Sequence, residues 1–274
     1  MKYRYSLLLL SVLMVACTAT NVFTGEKTIK PVANEQIFPI AYNQYDQFLN
    51  ENNVVTGTAE SQMIKTVGGK IKTASQRWLN AIGHPEYLKD YQWEYNLVQD
   101  DNINAWCMPG GKIVFYTGIL PICDGETGVA IVMGHEVAHA LANHGGQRMR
   151  ASQWQQLGQV GLMVGGAASG ASNETMGILN QAYGLGSQVG GMLPFSRAHE
   201  READKIGLYL AAIAGYNPDE GAELWKRMKA KSGGQSPPEF MSTHPSNDSR
   251  IANLQNLAPK AKAEAAKYGV TTFK

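Results

Sequence analysis

From about residue 42 to 81 apolar side chains recur at helical spacing, first Tyr45, Phe48 and Leu49 and then Met63, Val67, Ile71 and Leu79. Gly68-Gly69 falls inside this run and is expected to interrupt or loosen the helix. The period then changes. Tyr91 to Leu97 alternates apolar with polar, Asn104-Ala105-Trp106-Cys107 and Ile113 to Thr117 follow, and Met108-Pro109-Gly110-Gly111 between the last two marks a turn. These segments predict a small antiparallel sheet of about three strands closed by a hairpin. With Asp124 read as an N-cap, helical periodicity returns to about Asn143 and again over roughly 148–165, 174–190, 197–214, 218–231 and 246–257. Strands followed by a run of helices define an α+β class that is mainly helical. Within the helices, Gly158 to Gly191 is rich in Gly, Ala and Ser with scattered Met and Leu, an unusual make-up for a helix in water. It reads either as close helix packing or as a mobile cover over a site.

Composition adds boundaries. The chain has 274 residues, 44% of them hydrophobic, enough for one sizeable core. Its 24 basic residues nearly balance 23 acidic ones, so no net field draws it to nucleic acid, and no nucleic-acid partner is expected. Lys2 and Arg4 before the short apolar run Leu7 to Val15 read as a secretory signal over residues 1–16, too short to span a bilayer. Residues 17–36 are polar and without period, which suits a tether, and 37–274 are expected to form one domain. Met14-Val15-Ala16-Cys17 resembles a bacterial lipobox, with Met where Leu is usual. That resemblance implies a lipid anchor on Cys17 and, because Thr18 follows, the periplasmic face of the outer membrane; a soluble secreted or periplasmic protein is the alternative. An oxidising envelope compartment permits Cys107 and Cys123 to form a disulfide, and two buried free thiols are equally compatible.

The chemistry concentrates in His135-Glu136-Val137-Ala138-His139. Such a match arises by chance in under about 1% of chains of this composition. On a helix, histidines at i and i+4 lie one turn apart on one face and converge on one ion. Glu136 is turned about 100° from His135, placed to reach a water beside the ion without holding the ion itself. A catalytic zinc takes three protein ligands and keeps one position open, so a third donor is required. His144 does not share the face of His139 and lacks the glycine-containing spacing of the metzincins. It reads as a histidine at a helix C-terminus, and His84 and His199 receive no role. Glu200, Ala203, Asp204 and Gly207 share one helical face, on which two acids alternate with two small residues. This pattern lets the helix approach the histidine helix closely, whereas a merely solvated face has no use for Gly207. Glu200 is read as the third ligand, and Asp204 as the acceptor that fixes a ligand imidazole's tautomer.

The same residues carry a family resemblance. His135 to His139 is similar to the first motif, and Glu200 to Asp204 to the glutamate-then-aspartate motif, of the gluzincin zinc metallopeptidases of family forty-eight. That family contains HtpX, the CAAX prenyl proteases and the Oma-type peptidases. Asn104-Ala105-Trp106 and Gly111 to Val114 resemble the strands before its zinc helix, and Thr243-His244-Pro245 with Arg250 resembles its C-terminal segment. Without the membrane spans of HtpX and the prenyl proteases, the organisation resembles the envelope lipoprotein peptidases LoiP and BepA, whose additional repeat modules are not expected here. The resemblance implies a zincin-like domain with one zinc ion, and a metalloendopeptidase acting on unfolded or misassembled envelope polypeptides. Glu136 would then act as base. His244 would reach the open metal position or stabilise the oxyanion, and Arg250 would help that charge or pin its loop. An extended substrate is expected to add to the sheet edge at Asn104, Ala105, Trp106 and Cys107. The rival reading is a chaperone-like assembly factor with a latent metal site.

Overall fold

A computed structural model describes residues 18–170, 172–187, 192–231, 239–244 and 248–274. The signal segment 1–16, Cys17 and Pro245 lie outside the described residues. In chain order the elements are β1 (Thr18–Thr20), β2 (Lys27–Ile29), α1 (Asn34–Glu51), β3 (Val54–Val55), α2 (Ala59–Ala81), β4 (Glu94–Val98), β5 (Ala105–Met108) and β6 (Lys112–Tyr116). Then come a 3₁₀ turn (Thr117–Ile119), α3 (Leu120–Cys123), α4 (Glu126–Leu141), α5 (His144–Ala168), α6 (Asn173–Ser187), α7 (Leu193–Ile213), α8 (Glu220–Lys231), α9 (Glu239–Thr243) and α10 (Asp248–Ala266). The class is α+β and mainly helical. The chain divides into two compact units: residues up to Ala33 with Asn143–His199, and Asn34–Ala142 with Glu200–Lys274.

The larger unit is built on a four-stranded sheet in the order β3-β4-β6-β5. The hairpin of β5 and β6 forms as the turn residues require, with Cys107 opposite Ile113 and Met108 opposite Lys112. Two features depart from the expected three antiparallel strands. Val54 and Val55 add a short edge strand, and β4 pairs with β6 in parallel, Tyr95 opposite Ile113. Alternation sorts the strands into two faces. On one, Val98 and Val114 pack with Tyr45 of α1, joined by Phe48 and Trp106. On the other, the Tyr95 ring lies so close to Gly68 of α2 that a Cβ there would fall 2.3 Å from it. Gly68 therefore keeps α2 tight against the sheet rather than breaking it, and α2 runs uninterrupted from Ala59 to Ala81.

Asp124 is not the expected N-cap. It closes α3 in the left-handed region at φ 51°, and Gly125 at φ 109° leads into α4. Two residues with positive φ turn the chain sharply there, a geometry that Asp tolerates and Gly favours. Cys107 and Cys123 are free thiols, so the disulfide does not form. Cys107 sits on β5 with Sγ 3.4 Å from the Met108 carbonyl, while Cys123 is enclosed at the end of α3, where burial pushes its thiol up to about 12.

α4 is apolar nearly all round and buried from Gly128 to Leu141, which suits a helix at the centre of a unit. Glu126 opens its first turn, where a negative charge is favoured. Its carboxylate pairs with Lys274, accepts from the Tyr216 hydroxyl at 2.6 Å and meets Lys70 Nζ at 3.1 Å. Hydrogen bonds from Lys274 and Tyr216 lower its pKa to about 2. A depressed folded-state value contributes stability above the unfolded value near 4.3 and loses it as pH falls toward about 2. Glu126→Gln is expected to cost about 1 kcal/mol at neutral pH, by denaturant titration, and clearly less at pH 2, where the carboxyl is about half protonated.

The smaller unit contains an antiparallel pair, Thr18 opposite Ile29 through Thr20 opposite Lys27, so part of the expected tether is folded. The Val32 amide donates to the Gly146 carbonyl at 3.2 Å, tying this segment to α5. α5 and α6 form a helical hairpin in which glycines give the contact. A Cβ at Gly158 would lie 2.1 Å from the Tyr183 hydroxyl, and one at Gly166 would lie 2.0 Å from Met176 Sδ. That is the close-packing reading of the glycine-rich segment. His144 begins α5 instead of ending α4, because Asn143 at φ 55° turns the chain between them. It is buried and stacks on His199 with ring centroids 4.0 Å apart, and His199 Nε2 lies 3.1 Å from Gln147 Oε1.

Candidate metal centre

Every residue of the site lies in the larger unit. His135 and His139 are one turn apart on α4, with Nε2 atoms 3.1 Å from each other. Glu200, on α7, brings Oε2 to 3.4 Å from His135 Nε2 and Oε1 to 3.3 Å from His139 Nε2. What lets α7 come so near is a pair of glycines. A Cβ on Gly207 would stand 2.8 Å from the backbone of Gly134 and His135, and one on Gly134 would stand 2.6 Å from the Gly207 carbonyl. Gly207 was readable from the face it shares with Glu200, but its counterpart Gly134 was not, because nothing local distinguishes it from other helix glycines.

The fourth side chain is His244, just after α9. Its Nδ1 is 3.1 Å from His135 Nε2 and 2.9 Å from Glu200 Oε2, and its Nε2 is 3.4 Å from Glu136 Oε1. Ligand atoms of His135, His139, Glu200 and His244 all lie within 4.8 Å of one another, and all four residues are buried. Glu136 is buried beside this group without belonging to it.

Asp204 and Arg250 form the support. Asp204 Oδ1 lies 3.1 Å from His135 Nδ1 and so accepts its proton, leaving Nε2 to face Glu200. Arg250 donates twice to Asp204, at 2.9 and 2.7 Å, and its Nη1 is 3.1 Å from Glu200 Oε2. The guanidinium lies 3.8 Å from the centroid of Trp225 on α8. Arg250 therefore pins both carboxylates. Trp225 was not singled out from sequence, since a tryptophan on an amphipathic helix reads as core.

Electrostatics shows what the site is prepared for. Burial alone would raise Glu200, yet the surrounding imidazoles of His135, His139 and His244 hold it far below the usual carboxylate range. Burial alone would lower His135, yet Asp204 and Glu200 push it up to about 9. Burial alone would raise Asp204, yet Arg250 and His135 lower it. Imidazole nitrogens 3.1 Å apart thus converge beside a carboxylate that is held deprotonated. Two imidazoles and a carboxylate form a donor set suited to zinc, so the residues fit the ion that the motif implies.

Cys107 and Ala105 share the sheet face of Ile113, the side on which β5 packs against α4. Burial and the Glu136 carboxylate push the Cys107 thiol well up. Among the described residues β5 is last in the strand order, paired on one side with β6.

A helix bearing His-Glu-x-x-His and a later helix supplying a glutamate define the donor arrangement of the gluzincin metallopeptidases. The chain belongs to peptidase family M48, whose model matches residues 69–258 and so spans every residue of this site. Over 178 residues the chain is 37% identical to the mitochondrial metalloendopeptidase OMA1 of Schizosaccharomyces pombe, covering 65% of this chain and 50% of that protein. It is 36% identical to OMA1 of Saccharomyces cerevisiae, covering 64% and 49%, and 28% identical to the beta-barrel assembly-enhancing protease of Escherichia coli, covering 66% and 38%. The chain thus spans about half the length of the first two relatives.

Proposed function

We propose that this chain is a zinc-dependent endopeptidase in which His135, His139 and Glu200 hold the ion and Glu136 is the general base. The observation that carries the reading is the convergence of those three ligand groups around one point, with a buried glutamate next in sequence to the first. A zinc ion held there supplies Lewis acidity, polarising the scissile carbonyl and lowering the pKa of water toward about 7. Glu136 takes the proton of the attacking water and returns it to the leaving amine. Asp204 fixes the His135 tautomer, and Arg250 holds Asp204 and Glu200 in register. An extended substrate adds to the free side of β5 at Asn104 to Cys107, a backbone-driven mode that reads sequence poorly and suits unfolded polypeptides. Misassembled envelope proteins are the substrate class we favour. The signal-like start, the lipobox-like Cys17 and a relative named for β-barrel assembly support that choice and an outer-membrane lipoprotein.

One observation favours a second, latent state of the same site. His244 sits against Glu200, His135 and Glu136 together, in the space that a substrate carbonyl would enter. The test of the main reading is cleavage of unfolded casein by residues 18–274 loaded with one equivalent of zinc. Cutting should disappear with a chelator and return with zinc. Zinc bound without cutting would put the latent reading first, and failure to bind zinc would remove the ligand assignment.

A further inference from the structure

We infer that the α5–α6 hairpin is a membrane-docking surface that lies in the interface of an anionic bilayer. Three observations carry this, and none depends on the metal centre. The first is charge. Residues 151–196 contain one charged side chain, Glu174, in a protein whose charged fraction is 17%. A water-facing helical hairpin of ordinary composition would carry charges along its length.

The second is exposure. Trp154, Leu157, Val160 and Val164 of α5 and Ile178 and Leu179 of α6 are all exposed, Leu157 to 68% and Val164 to 65%. They are not the helix–helix contact. Gly158 and Gly166 meet Tyr183 and Met176, and Leu157, Val160 and Val164 lie on the opposite side of α5 by the 100° step. The hairpin therefore satisfies its inner face through glycines and presents an apolar outer one. Contiguous apolar surface of this kind marks an interaction site.

The third is what borders it. Arg148 and Arg150 precede the uncharged stretch and Arg197 follows it, with Arg148 and Arg197 exposed. By the same 100° step Arg150 falls on the side of Leu157, Val160 and Val164 while Arg148 falls on the glycine side, and an arginine on an apolar face bordered by a tryptophan is complementary to anionic headgroups above an acyl boundary. A protein partner or a second copy of the chain would bury the apolar face without needing that basic border. No described helix is long and apolar enough to cross a membrane, so the hairpin lies on the bilayer rather than spanning it.

The test uses residues 18–274, which retain every described element and lack both Cys17 and the apolar segment Leu7 to Val15. The protein is mixed with phosphatidylethanolamine vesicles with and without phosphatidylglycerol, and binding is read by co-sedimentation. The expected result is binding that requires phosphatidylglycerol, weakens with salt and falls at least tenfold in Leu157→Glu/Val164→Glu. The control Ile40→Glu, which alters an exposed apolar residue of the larger unit, should bind as the parent does. Trp154→Phe should remove the fluorescence blue shift seen on binding. Equal vesicle binding by the double variant and the parent overturns the proposal. So does an absence of binding, as does loss in the double variant of self-association rather than of vesicle binding. Because casein cleavage is not the readout, failure of the peptidase reading leaves this result interpretable.

Discussion

Glu136→Gln is expected to slow casein cleavage by about 10³-fold while the variant still holds one zinc ion and melts like the parent. Gln keeps the size and one oxygen of Glu but cannot take a proton from water. Glu136 lies next to His135 on α4 yet stands outside the group of four whose ligand atoms converge, so the ion's donors are untouched by the change. It is buried, with only 4% of its surface exposed, and His244 Nε2 is 3.4 Å away, so the carboxylate has no bulk water to relay its proton. Retention of zinc is the readout that separates a base from a support. If the variant loses zinc, Glu136 helps to build the site; if it cuts at the parent's rate, another group is the base.

The parts of this site legible in sequence are those set by one helix at a time. Spacing alone put His135 and His139 on one face, and spacing alone aligned Glu200, Asp204 and Gly207, because a regular helix converts residue number into angle. Contacts between elements were less accessible. The hairpin of β5 and β6 follows from a local turn, whereas the parallel pairing of β4 with β6 joins neighbours in the sheet that are separated in sequence by β5, and leaves no periodic trace. Asp124 illustrates another limit. An acid before an apolar run reads as an N-cap, but here backbone direction decides, and the residue takes positive φ to end one helix so that the next can start. His244 and Arg250 came from the family resemblance. No period links α9 and α10 to α4, and only the folded chain shows Arg250 fixed between Asp204, Glu200 and Trp225.

Gly207→Ala is expected to have a large effect while leaving all the site's polar groups in place. The added Cβ would stand 2.8 Å from Gly134 C and His135 N and 2.9 Å from His135 Cα, all backbone atoms of a buried helix. No rotamer relieves such a contact, so α7 must move away from α4. Overpacking of this kind costs about 2–3 kcal/mol, or roughly 6–10 °C in Tm for a unit of this size. The consequence reaches the ion, because Glu200 and Asp204 ride on the same helix and would retreat from His139 and His135. Zinc affinity should fall with stability, by about 10–100-fold, as for changes in the groups that orient ligands. Gly69→Ala is the matched control. It lies mid-helix in α2, where a Cβ meets nothing within 4 Å, and should gain up to about 1 kcal/mol from helix propensity without altering zinc binding. Calorimetry and competitive zinc titration on both variants check the pair. If Gly207→Ala melts and binds zinc as the parent does, the close approach of α4 and α7 is not what holds Glu200 against the two histidines.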